Sequence, residues 1–123
     1  MRPALPACLL LAVPLALAGL SPPATAHAII SDSSPAAGAT VTGPDIPMSL
    51  RYNSRIDAER SRLTLIGPDG KSTPLPLAPS PAPDILAAKA TGLAPGDYRL
   101  RWQVLAVDGH ITRGDIPFHV AAP

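Results

Sequence analysis

Apolar and polar residues alternate with a period of two along four stretches of the chain. Ile46, Met48, Leu50 and Tyr52 alternate with Pro47, Ser49, Arg51 and Asn53. Leu63 and Leu65 alternate with Arg62 and Thr64. Tyr98, Leu100, Trp102 and Val104 alternate with Arg99, Arg101 and Gln103, and Ile116, Phe118 and Val120 with Pro117, His119 and Ala121. Each pattern predicts a strand with one face toward a core and one toward water. Turn signals separate them: Pro35 to Gly38, Gly67-Pro68-Asp69-Gly70, Pro79 to Pro83, Pro95-Gly96-Asp97 and Asp108-Gly109. No stretch sustains a helical period. The exception is Asp57 to Arg62, which suits a single helical turn. Short alternating strands with frequent turns predict an all-β sandwich or barrel. Trp102 is the natural centre of its core. Thr73 to Pro83, rich in proline, is expected to be an extended edge segment or a loop. No internal repeat is visible.

The amino terminus follows a different rule. Arg2 precedes an almost wholly apolar run from Leu5 to Leu20, which Ser21, Pro22 and Pro23 break. Ala24-Thr25-Ala26 then has the small-x-small form of a signal-peptidase site. The run is shorter than the roughly 20 residues of a spanning helix, and it contains Pro14. Cys8 sits too early in it to be a processed lipid anchor. Residues 1–26 are therefore expected to be a cleaved secretory signal, and residues 27–123 one exported domain that is not embedded in a membrane. Cleavage removes the only cysteine, so the domain must rest on an apolar core without a disulfide. It also removes Arg2, which brings the charge from +1 to about zero. With no basic run, nucleic acid is not an expected partner. Most of the 17 prolines remain, against long helices.

Cleavage would make His27 the first residue. Its α-amine and imidazole could then chelate one metal ion together. The amine's ordinary pKa of about 7.7–8.0 makes the deprotonation accessible near neutral pH. A second candidate lies in Val107-Asp108-Gly109-His110, after the Trp102 strand. In an extended strand Asp108 and His110 would share a face, and Gly109 permits a bend that could aim both at one point. One amine, two imidazoles and a carboxylate, with no sulfur, favour Cu(II), although Zn(II) and Ni(II) also accept imidazole. Asp-Gly is a common turn dipeptide, His110 then being an exposed loop residue, and a residue of some kind must follow any cleavage site.

Residues 27–123 resemble the periplasmic copper-resistance protein CopC family. The resemblance begins at His27-Ala28 and continues through Ser33-Ser34-Pro35-Ala36-Ala37-Gly38-Ala39, similar to that family's S-x-P-A-x-G-A turn. Leu63-Thr64-Leu65, Asp69-Gly70-Lys71, Leu93-Ala94-Pro95-Gly96-Asp97-Tyr98 and Trp102-Gln103-Val104 follow in order. The most specific piece is Val107-Asp108-Gly109-His110, followed by Gly114 and Phe118-His119-Val120. The resemblance implies an immunoglobulin-like Greek-key β-sandwich of about seven strands. It implies one Cu(II) per chain, held by His27 through amine and imidazole and by His110, with Asp108 at or near the metal. It also implies a periplasmic monomer, a carrier or buffer rather than an enzyme, and an inner-membrane copper-transport protein as partner.

The chain departs from the family pattern in three places. Ile29 replaces the second histidine of a His-Ala-His start. The methionine-rich Cu(I) segment is absent, and Met48 belongs to an apolar strand face. Arg55 stands where an acidic residue is usual, so tuning around the metal is expected to differ. His119 should face water, and Arg99, Arg101 and Arg113 form a basic strip suited to solvent or to an anionic partner. The same amine and imidazole set also serves copper monooxygenases. Four aromatic residues offer no evident substrate platform for that chemistry. A metal-free interaction module on the same scaffold is the remaining alternative.

Overall fold

The computed structural model describes residues 28–123, and no helix occurs among them. Nine strands form two sheets. They are β1 (Ile30–Ser34), β2 (Ala39–Thr42), β3 (Ile46–Tyr52), β4 (Ile56–Ile66), β5 (Ser72–Leu75), β6 (Leu77–Ala78), β7 (Ile85–Ala90), β8 (Gly96–Ala106) and β9 (Ile111–Ala121). One sheet has the order β1-β3-β7-β6, the other β2-β9-β8-β4-β5. All pairings are antiparallel except β2 with β9. The result is an immunoglobulin-like Greek-key sandwich, with nine strands where about seven are usual. The surplus is two short edge pieces. Residues 72–78 run along the β4 edge as β5, pass Pro76, and join the β7 edge of the opposite sheet as β6. Proline cannot donate to a ladder, so a proline-rich segment is tolerated only at such edges.

The period-two residues are buried as their spacing predicts. Ile46, Met48, Leu50 and Tyr52 point inward from β3, Leu63 and Leu65 from β4, and Ile116, Phe118 and Val120 from β9. Met48 is a core residue. Tyr98 stacks on Phe118 at 5.7 Å between ring centroids. Its hydroxyl donates 2.7 Å to the Ala94 carbonyl, which fixes the chain where it enters β8. Burial pushes the Tyr52 hydroxyl well above its usual range, so it stays neutral.

Two expectations need correction. Asp57 to Arg62 forms no helical turn; it is a bulge within β4. Between the pairs Asp57↔Leu105 and Arg62↔Gln103, β4 advances five residues while β8 advances two. The Ser61 hydroxyl donates 2.6 Å to the Asp57 carbonyl and accepts 3.2 Å from Leu105 N–H, while Arg60 reaches Asp57 at 3.8 Å. The curl between residues three and four apart is real, but the flanking ladder absorbs it. Trp102, in turn, is not the centre of the core. Leu50, Leu86, Leu100, Val104 and Val120 are fully buried there, and Trp102 is only partly buried at its margin. The indole meets Tyr52 edge-on at 5.5 Å and lies over Gly114, its cross-strand partner. A Cβ on residue 114 would stand 2.6 Å from the ring.

Gly114→Ala should therefore displace the indole and lower stability by about 1–3 kcal/mol. Thermal unfolding checks the loss, and emission from the single tryptophan should shift as well. An unchanged melting temperature would mean that the ring moves without cost. On the outer sheet face, Asp115 receives two hydrogen bonds from Arg101, at 2.9 and 3.1 Å, with Arg99 at 3.6 Å. The bond to Arg101 holds the Asp115 carboxyl below its usual range. Its folded pKa is thus lower than its unfolded one. The stabilisation is present at neutral pH and fades as pH falls below about 4. Asp115→Asn should flatten that part of an acid-denaturation curve, by a small amount because the group is partly exposed.

Candidate metal centre

β8 and β9 face each other over ten consecutive residue pairs, from Gly96↔Val120 to Leu105↔Ile111. The link between them, residues 107–110, carries the Asp-Gly-His motif at one end of the sandwich. Gly109 N–H donates 2.9 Å to the Ala106 carbonyl, and Ala106 N–H donates 2.8 Å to the His110 carbonyl. Gly109 has φ +93°, a left-handed value that glycine takes at no steric cost. This is a tight turn followed by a bulged glycine, a frequent way to close a hairpin. The motif is thus a turn, as its dipeptide suggests, and not an extension of the strand. Asp108 and His110 still meet. One oxygen of Asp108 accepts 3.0 Å from His110 N–H, and the other lies 3.2 Å from His110 Nδ1. The carboxylate therefore fixes both the backbone and the ring of His110. It turns Nε2 away from itself, the arrangement in which a carboxylate orients a ligating imidazole.

A carboxylate and an imidazole are two donors. Among the described residues, no three His, Cys, Asp or Glu side chains gather closely enough to hold a metal ion. The third candidate, His27, and the cleavage site before it lie outside the described residues. What the fold does set is the position of Ala28. That residue is only 1% exposed. Its carbonyl accepts 2.9 Å from the Thr112 hydroxyl, two residues beyond His110. Ile29 N–H donates 2.8 Å to Asn53 Oδ1, and Asn53 N–H returns 2.9 Å to the Ile29 carbonyl. Val107 N–H reaches the Arg55 carbonyl at 3.4 Å. The start of the described chain, the 53–55 loop and the 107–112 hairpin are thus linked in one ring around this end of the sandwich. Thr112 and Asn53, which do the tethering, carry no sequence signal for it. Thr112 is recognisable only as an inward-facing position two residues after the motif.

The other singled-out residues lie elsewhere. His119 is on the outer sheet face near the opposite end, exposed as expected, and its Nδ1 is 2.7 Å from Asp97. Sequence spacing did not reveal that pair, which is a cross-strand pair in β8 and β9. Arg99 and Arg101 are both held by Asp115, and Arg113 donates 2.9 Å to Gln103. Ile29 is half exposed.

The sandwich agrees with comparisons to known proteins. A family model described as the CopC domain matches residues 30–121. The chain belongs to the CopC family. "Protein YobA" of Escherichia coli (strain K12) is 30% identical over 104 residues, covering 82% of this chain and 84% of that protein. The crystal structure of CopC from Methylosinus trichosporium OB3b is 27% identical, with a TM-score of 0.70 over 78% of this chain and 95% of that one. PcoC, a methionine-rich copper resistance protein from Escherichia coli, is 25% identical, with a TM-score of 0.65 over 77% and 99%.

Asp108 supplies the acceptor for His110 N–H and the partner of its ring, so Asp108→Ala should loosen the hairpin by about 1 kcal/mol. Thermal unfolding checks this. Asp108→Asn keeps an acceptor but loses the carboxylate. It should preserve most of the stability, while nitrogen NMR of His110 shows mixed tautomers.

Proposed function

We propose that this CopC-family protein is an exported Cu(II) carrier or buffer, with copper as its cargo. A signal peptide over residues 1–26 is removed, and the domain from His27 works in the periplasm as a monomer. One Cu(II) is held by the amine and imidazole of His27 and by the imidazole of His110. Asp108 sits at or beside the metal and orients His110.

The tether of Ala28 to Thr112 carries this reading. Residue 27 is covalently joined to Ala28, and neighbouring Cα atoms are 3.8 Å apart. Ala28 is bonded to a residue two positions from His110. That supports a site made from the new amino terminus and the hairpin together. The described donors, a carboxylate and an imidazole, suit a nitrogen- and oxygen-rich Cu(II) site. PcoC is described as methionine-rich, whereas here the one methionine beyond the initiator, Met48, is buried in the core. We therefore assign no strong Cu(I) site to this chain. Without a ready route through Cu(I), carriage suits the site better than oxidative catalysis. An inner-membrane copper-transport protein is the recipient that this role implies. Copper uptake should weaken as pH falls, because protons compete for the amine and imidazoles.

The test is Cu(II) titration followed by EPR, on protein whose terminus is shown by mass spectrometry to be His27. One copper per chain is expected, in a nitrogen-rich tetragonal signal. One glycine added ahead of His27, or His110→Ala, should weaken binding by more than about tenfold. Equal affinity with and without the added glycine would overturn the terminal chelate.

A further inference from the structure

Three large apolar side chains are exposed among the described residues: Ile29 at 51%, Val107 at 68% and Ile111 at 52%. All three rim the end of the sandwich that carries Asp108 and His110. Val107 and Ile111 flank the hairpin turn, and Ile29 is tied in through Asn53 and through Ala28 to Thr112. Aliphatic side chains scattered over a surface need no explanation, but a cluster confined to one tip does.

The register shows what lies behind the tip. On the outer face of the five-stranded sheet, Leu105 pairs with Ile111 at the end. The next pair on that face, about 7 Å inward, is Gln103 with Arg113, and Arg62 lies beside Gln103 on β4. Arg62, Arg113 and Arg55, in the loop that bonds Val107, are exposed. None of the three has a carboxylate partner among the described residues, whereas Arg99 and Arg101 share Asp115 and Arg60 reaches Asp57. Asp57 is engaged by Arg60 and Asp108 by His110; the other acids near this end are Glu59 on the neighbouring bulge and Asp84, whose carbonyl accepts from Tyr52 N–H beside the 53–55 loop. An apolar tip backed by a cationic band matches a bilayer interface in cross-section, acyl boundary first and phosphates next.

We propose that this end of the sandwich docks reversibly on an anionic phospholipid surface. Ile29, Val107 and Ile111 enter the interface, and Arg55, Arg62 and Arg113 meet the lipid phosphates. The inference rests on the export proposed above, and not on copper. A hairpin tip with Arg55 beside it and Arg62 and Arg113 one pair inward suits a lipid surface better than a complementary protein pocket.

The test uses the chain processed after Ala26, copper-free and copper-loaded. It is sedimented with vesicles of phosphatidylethanolamine and phosphatidylglycerol, and separately with phosphatidylcholine vesicles. Binding is expected to the anionic vesicles alone and should weaken with added salt. The double variant Val107→Ser with Ile111→Ser should bind at least about tenfold more weakly. Arg62→Gln and Arg113→Gln should each cost about fivefold. Circular dichroism establishes that the variants are folded. Equal binding to both vesicle types, or variants that bind like the parent, would overturn the proposal. So would sedimentation with neither vesicle, which would assign the tip to a protein surface. The assay needs no copper. A failed Cu(II) titration would therefore sink the carrier reading and leave this result intact.

Discussion

The pairing of β8 with β9 is the constraint on which the rest depends. Two strands of eleven residues face each other without a register break. The inward face of this ladder holds Leu100, Val104, Ile116 and Val120, the middle of the core. Its outward face orders the arginines, Asp115 and the Asp97–His119 pair. Its turn carries Asp108 and His110. A slip of one residue would send the core set to solvent and the arginines inward, so the burial of one face locks the position of the turn.

The turn answers a structural and a chemical demand with the same atoms. A hairpin end leaves backbone donors to satisfy, and Asp108 satisfies that of His110. The second oxygen of the same carboxylate fixes the ring. No separate scaffold is needed to orient the imidazole, and a tight turn of this kind is stiffer than a long loop. The ring of hydrogen bonds through Thr112, Asn53 and Arg55 then holds the start of the domain against the same end. Where an imidazole does bind a metal, such supporting contacts orient it as much as the ligand set does. Crowding an oxygen-rich and nitrogen-rich turn with exposed aliphatic residues leaves a surface that is chemically unlike the rest of the domain.

How much of this was legible in the sequence depends on the range of the interaction. Alternation is a local property, and the burial of Ile46, Met48, Leu50 and Tyr52 follows from it directly. The edge role of the proline-rich segment was equally legible, because proline excludes itself from central strands. Asp57 to Arg62 misled because a bulge contains the same contacts three and four residues apart as a helical turn. Only the two flanking pairs with β8 decide between them. Trp102 misled through its size. A large aromatic suggests a centre, but the absence of a side chain at Gly114 makes room for the ring at the margin.

The sequence by itself determined the all-β class, the faces of the long strands, and the presence of a turn at Asp108-Gly109 with a histidine after it. These rest on residue periodicity and on the conformational freedom of glycine, which need no knowledge of distant contacts. Only the tertiary structure decided that Asp108 grips His110 at both backbone and ring, and that Thr112 draws Ala28 to the same end. It also decided that Ile29, Val107 and Ile111 are exposed together there. Ala28 and Thr112 are 84 positions apart. Their meeting is set by how two sheets pack, and no local pattern in either segment encodes it.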